Sequence, residues 1–423
     1  MTGAPAETAE PKHELLALAR SLKARIRLDA ELGRPLNYLT GGGHVSGATL
    51  IKKRGEVGVL FCNDMEREEA TRTGLKVIPL GTYPWQDMLK EAGNDPALMS
   101  AMRLQRMLAD CGITEGNIGI YGQTDISSTL ATLAHLQNLA PGIKIQGEAR
   151  DGSLFLYAME TKDENEVERI RKMGRITTQV VRRVAEYLTS REVDQEEVLL
   201  KEDGTPVTVA DVKSRIDLWL AELGAENPEG CIFAIGRDAG IPHSVGTPSD
   251  KIRLGRTIVF DIYPCEAGGG YFYDFTRTWS LGYAKPEAQA LYDEVHTVFH
   301  KVMENLDLNA PYKEYQRMVC EEFEKNGHKT PLNTPAPVEG YVHSLGHGLG
   351  LNVHERPWSG LTSTDDNLLK AGVVMTIEPG LYYPEREMGV RIEDSVWVRP
   401  DGKMETLAEY PYDFVLEMKN WEN

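Results

Sequence analysis

Thiols are scarce in this sequence and lie far apart. Cys62, Cys111, Cys231, Cys265 and Cys320 are the five present. The count is odd and no pair has zinc-finger or redox spacing, which argues against a disulfide framework and for reduced thiols in a cytoplasmic protein. Basic charge is also short: 46 Lys and Arg stand against 64 Asp and Glu, a net charge of −18. A phosphate-binding surface is basic, so no nucleic-acid partner is expected, and nothing favours an anionic membrane. No apolar run approaches the ~20 residues that span a bilayer. The opening MTGAPAETAEPK has no apolar signal core and reads as a flexible tail over 1–12.

What is present is an ordinary globular composition, 41% hydrophobic and 26% charged over 423 residues, enough for two or three domains. Apolar periodicity predicts a helix over His13–Leu32, strands in ATLIKKRGEVGVLFCN, a helix in DMEREEATRTG, an extended LKVIPL, a helix in ALMSAMRLQRMLADCG and a strand at NIGIYG. The alternation implies an α/β domain over 13–158. A polar boundary near Glu160 opens a second domain, 159–423. There one order of elements occurs twice: two helices, a strand, then a pair of strands. The first round is Asp163–Leu188, Val207–Leu223, CIFAIG, RTIVFDIYP and YFYDFTRTWSL. The second is Glu287–Leu306, Tyr312–Asn326, a strand near GYVHS, GVVMTIEPGLYY and GVRIEDSVWV.

Each strand pair carries two acids in apolar surroundings: Asp261 and Asp274, then Glu378 and Glu393. Two halves facing each other would converge all four. Buried carboxylates are costly, and four together repel and raise one another's pKa. Two divalent cations would resolve both problems, and paired metals are a known device for activating water. A histidine could add a nitrogen. HSLGHGLGLNVHE packs three histidines into a glycine-rich stretch that reads as strand or loop bending around something, not as a helix. Oxygen ligands with one imidazole and no thiolate suit manganese, cobalt or zinc over copper.

Together GIPHS, FDIYPCEAGGGYFYDFTRT, HSLGHGLGLNVHE, TIEPGLYYP and VRIED make the chain from about Glu160 to Leu407 resemble the pita-bread metallopeptidases: methionine aminopeptidase, aminopeptidase P and prolidase. The front domain resembles that of aminopeptidase P, prolidase and creatinase. The resemblance implies an α/β N-terminal domain followed by an α+β pita-bread (creatinase/aminopeptidase) catalytic domain with pseudo-twofold halves. It implies that Asp261 chelates one of two divalent ions, manganese in preference to cobalt or zinc. Asp274 and Glu393 would bridge both ions, and His347 and Glu378 would complete the second. His354 matches a histidine that contacts the substrate and the tetrahedral intermediate, and His243 a proton-shuttling one. His343, Tyr382 and Arg391 match residues lining or edging the substrate pocket. His13, His44, His135, His296, His300 and His328 have no assigned partners.

The chain departs from the pattern in three places. Asp261 and Asp274 are 13 apart where most relatives have 11, with the extra length assigned to a hairpin tip in PCEAGGG. Met388 stands where glycine is common. Trp358 occupies the position where many prolidases place an arginine for the dipeptide carboxylate, with Arg356 two residues early and able to swing in. The expected activity is therefore metal-dependent hydrolysis of the bond before proline at peptide N-termini by a homodimer. Catalysis would involve His243, His354 and Glu378, with Trp358 among the substrate-binding residues. Xaa-Pro dipeptidase is the near alternative. A metal-free creatinase-like amidinohydrolase and a non-catalytic binding module are the distant ones.

Overall fold

The computed structural model describes residues 24–28, 34–41, 45, 47–122, 124–149 and 152–421. By internal contacts the chain forms two compact units, one of Met1–Ala158 with Gly268–Gly270, the other of Met159–Ala267 with Tyr271–Asn423.

The first unit is built on a six-stranded sheet. Its strands are β1 (Ala24–Leu28), β2 (Thr49–Lys53), β3 (Val59–Cys62), β4 (Lys76–Pro79), β5 (Gly116–Tyr121) and β6 (Ile143–Gln146), in the order β4-β3-β2-β1-β5-β6. Its longest helix, Pro96–Asp110, starts where Asp95 accepts from the N–H groups of Ala97 and Leu98 and proline takes the first turn. That helix buries Met99, Leu104, Met107 and Leu108 in the unit's core. One expectation fails here: Ala24–Leu28, inside the expected helix, is a strand. The segment alternates apolar and basic residues, and β1 gains hydrogen-bonded neighbours on both sides, β2 antiparallel and β5 parallel. The rest of that expected helix, the tail over 1–12, His13 and His44 lie outside the described residues.

In the second unit the first round of elements is helices Glu164–Thr189 and Val209–Glu222, with β7 (Glu192–Val193) and β8 (Leu199–Leu200) between them. Asp163 opens the long helix with a reciprocal capping box to Glu166. Then come β9 (Ala225–Glu226), β10 (Cys231–Ile235), β11 (Thr257–Ile262), β12 (Cys265–Glu266) and β13 (Phe275–Leu281). The second round is helices Pro286–Asn305 and Tyr312–Lys325, β14 (His347–Gly348), β15 (Glu355–Trp358), β16 (Val374–Ile377), β17 (Gly380–Tyr383), β18 (Met388–Arg391), β19 (Asp394–Val398) and β20 (Met404–Thr406). The last strand, β21 (Val415–Leu416), joins the first round's sheet. The two main sheets run β10-β11-β13-β21 and β15-β14-β16-β19-β20. Among the described residues no helix is long and apolar enough to cross a membrane.

The strand expected near GYVHS is a second correction. Residues 340–344 form no ladder beyond the bridge of Gly340 to Tyr382, and the strand comes later, at His347–Gly348. Side chains take over the backbone groups instead. Gln316 donates to the carbonyl of His343 and accepts from the N–H of Leu345, while Ser359 Oγ accepts from the N–H of Gly346.

Candidate metal centre

Each sheet contributes one strand pair whose end carries two acids. Asp261 on β11 faces Thr276 across the ladder, and Asp274 precedes β13 two residues before Thr276, so period 2 places both acids on one face. The longer hairpin tip leaves this register intact: Cys265 bridges Phe272, and Gly268 and Gly269 turn the tip with φ of +81° and +85°. In the other sheet Glu378 follows β16 and Glu393 precedes β19, and the closing pair of that ladder is Ile377 with Asp394. A bridge between Thr276 and Glu393 joins the two sheets at the acids.

The acids face a cavity of about 440 Å³ whose lining includes Asp261, Asp274, Glu378 and Glu393, together with His243, His343, His347, His354, Arg391 and Trp358. Asp274, His347 and Glu393 each present an atom within 4.8 Å of the others. Glu378 Oε1 lies 3.4 Å from His347 Nε2. Asp261 stands outside that tight group, and its Oδ2 accepts from Arg391 Nη2 at 2.6 Å. The glycine-rich stretch is explained by crowding. A Cβ on Gly348 would stand 1.8 Å from the carbonyl oxygen of Arg356, so only glycine lets β14 pass β15 beside His347.

Burial and mutual repulsion push the Asp274 and Glu393 carboxyls well above the usual range, and burial pushes Glu378 up to about 8. Burial, with His354 next to it, pushes His347 down to about 3, so its ring is neutral. Asp261 Oδ1 and Asp274 Oδ1 are buried without a hydrogen-bond partner. Crowded carboxylate oxygens, two of them orphaned, beside a neutral imidazole form a donor set that fits divalent cations.

The other expected residues divide. His354 packs on His347 with ring centroids 4.2 Å apart. His243 is exposed in the loop between β10 and β11 and lines the cavity. Tyr382 is buried behind the cavity wall instead of at its edge. Its hydroxyl lies 2.8 Å from both His343 Nε2 and Arg391 Nη1, so His343, Tyr382, Arg391 and Asp261 form one chain of bonds. Arg356 does not swing in. It is 1% exposed and is held by Asp366 at 2.9 Å, with Glu160 at 3.7 Å. His296 and His300 pair with each other at 3.0 Å, and His328 bonds Glu294 at 2.6 Å, so all three have structural partners.

Sequence reading missed the two threonines that orient the acids. Thr276 Oγ1 donates to Glu393 Oε2 at 2.6 Å, and Thr376 Oγ1 lies 3.4 Å from Glu378 Oε1. Each is two residues from an acid on the same strand face, and that spacing was the available signal. Glu229 and Tyr263, which also line the cavity, carried none.

The sequence matches the model of metallopeptidase family M24 over residues 168–400. It is 28% identical over 369 residues to an uncharacterized peptidase of Staphylococcus aureus strain bovine RF122 / ET3-1, covering 86% of this chain and 88% of that one. The fold is similar to that of an Xaa-Pro dipeptidase from Bacillus anthracis, with a TM-score of 0.72, 18% identity, and 96% and 98% of the two chains covered. It is equally similar to that of an X-Pro aminopeptidase from Thermotoga maritima MSB8, at 0.72, 20% identity, and 95% and 99% covered. These likenesses establish the α/β N-terminal unit followed by a pita-bread unit as the fold of nearly the whole chain. With more than half of its length matched by the family model, the chain belongs to metallopeptidase family M24.

Proposed function

We propose that this peptidase hydrolyses the bond before proline at the N-termini of peptides longer than a dipeptide. Asp261, Asp274, His347, Glu378 and Glu393 would hold two divalent ions, with manganese preferred to cobalt or zinc. Bound there, the ions would supply Lewis-acid polarisation and a lowered pKa for water.

The chain's own groups do the rest. His354, exposed to the cavity beside His347, donates to the oxygen of the scissile carbonyl as negative charge develops on it. Glu378 Oε takes a proton from the attacking water and passes it to the leaving proline nitrogen, with His243 at the cavity wall as second carrier. Thr276 and Thr376 hold the carboxylates in their rotamers. The chain of bonds from His343 to Asp261 fixes the wall on which the substrate lies.

One observation carries the choice between aminopeptidase and dipeptidase: Arg356 is buried and already paired. Among the described residues Arg391 is the one arginine lining the cavity, no lysine lines it, and Arg391 is engaged by Asp261. A dipeptide carboxylate therefore meets no available guanidinium. Trp358 and Val353 offer an apolar wall that suits a proline ring or the side chain after it. Elemental analysis of protein purified without chelator, combined with cleavage of Ala-Pro-Ala, tests this reading. About two metals per chain with cleavage supports it. A metal-free chain that leaves the peptide intact favours either rival, a creatinase-like amidinohydrolase or a non-catalytic binding module.

A further inference from the structure

Four charged side chains are buried where the Glu160–Lys162 segment meets Glu355 and Arg356. Lys162 and Glu355 pair at 3.0 Å with side chains 2% and 0% exposed. Glu160 lies 3.7 Å from Arg356 and 3.2 Å from Lys370. Charge alternates along both segments, so each group meets its opposite. Apolar residues of equal size usually serve stability as well as a buried ion pair does, so stability alone is a poor reason for this arrangement.

Its location supplies a better one. Glu355 directly follows His354. Its Oε1 accepts from the backbone N–H of Asn352 at 2.8 Å and from Asn352 Nδ2 at 3.1 Å, closing the turn 352–355. Its Oε2 accepts from Lys162 Nζ. Gly350 leaves the necessary room, because a Cβ there would stand 2.5 Å from Glu355 Oε2 and 2.8 Å from Lys162 Cε. Lys162 is anchored in turn, its backbone N–H donating to the carbonyl of Gly372 at 2.7 Å. Val353 and Glu355 are buried on either side of His354, which is exposed to the cavity.

We infer that Lys162 and Glu355 are positioning residues that fix the 352–355 turn and thereby set His354, acting on catalysis through it. The inference rests on the reading of His354 as the substrate-facing histidine. Lys162→Met combined with Glu355→Leu replaces the pair by apolar groups. Melting temperature and metal content should hold, while kcat on Ala-Pro-Ala falls ~10–100-fold with KM little changed. In a His354→Ala background the same two substitutions should change kcat by less than ~3-fold, since the residue they act through is gone. Equal losses in both backgrounds, or an unchanged kcat in the folded double variant, overturn the inference. Should that variant fail to fold, Lys162→Met with Glu355→Gln keeps an acceptor for Asn352 and carries the same cycle. Imidazole NMR of protein prepared with zinc gives a readout independent of turnover. The His354 signal should shift or broaden in the variant while those of His296 and His300 stay in place, and a superimposable His354 signal contradicts the inference. A wild-type chain that cleaves no Xaa-Pro peptide sinks the proposed function, and the NMR comparison still decides this point.

Discussion

Arg391 Nη2 lies 2.6 Å from Asp261 Oδ2, both side chains buried, so one of the four acids at the cavity shares its charge with a guanidinium. Among the described residues the other three acids pair with no guanidinium, and the orphaned Oδ1 atoms of Asp261 and Asp274 mark where positive charge is wanted.

Arg391→Met therefore leaves Asp261 as an uncompensated buried charge. Breaking a buried pair in this way costs about 3–5 kcal/mol. The loss should be larger in chelator-treated protein than in metal-loaded protein, because bound cations replace part of the missing charge. Paired denaturant titrations read the difference, and equal losses in both states would show that no cation sits beside Asp261.

Asp274 and Glu393, the two acids that would lie between the ions, should show a change of sign. Asp274 is pushed toward protonation by burial and by Asp261 and Glu378, and Glu393 by burial and by Asp274, Glu378 and Asp261. In the metal-loaded protein Asp274→Asn should remove at least one ion and abolish activity. In the chelator-treated protein the same change relieves repulsion and should raise stability by on the order of 1 kcal/mol. A variant destabilised in both states, with full metal content, contradicts the assignment.

The histidines should separate. His347→Ala should lose metal, whereas His354→Ala and His243→Ala should keep metal and lower kcat, by ~10²–10³ for His354 if it contacts the oxyanion. Metal loss in His354→Ala with retention in His347→Ala would reverse the roles.

Much of this site was legible because its signals are local. Each acid sits next to an apolar strand, and the order of elements repeats, so convergence of Asp261, Asp274, Glu378 and Glu393 followed from pattern alone. Hairpin register survived its longer tip because an insertion of two keeps the period. What escaped depends on partners distant in sequence. Ala24–Leu28 is a strand because β2 and β5 flank it. Arg356 is unavailable because Asp366 and Glu160 hold it, and Lys162 matters because Glu355, 193 residues later, is buried against it.

Chain-length preference follows from the same arginine. Ala-Pro-Ala should be cleaved with at least tenfold higher kcat/KM than Ala-Pro, about 1.4 kcal/mol of transition-state preference. Arg356→Ala should destabilise the protein by about 1–3 kcal/mol without changing that ratio, because Asp366 reaches solvent and Glu160 keeps Lys370. A selective loss of dipeptide cleavage in this variant would restore Arg356 as a carboxylate clamp.

The most direct measurement is Ala-Pro-Ala hydrolysis by chelator-treated protein as Mn²⁺ is titrated back. Cleavage should cease after chelation and recover to saturation near two equivalents per chain, the number four carboxylates would neutralise. Full activity after chelation, or no cleavage at any Mn²⁺, Co²⁺ or Zn²⁺ concentration, would contradict this.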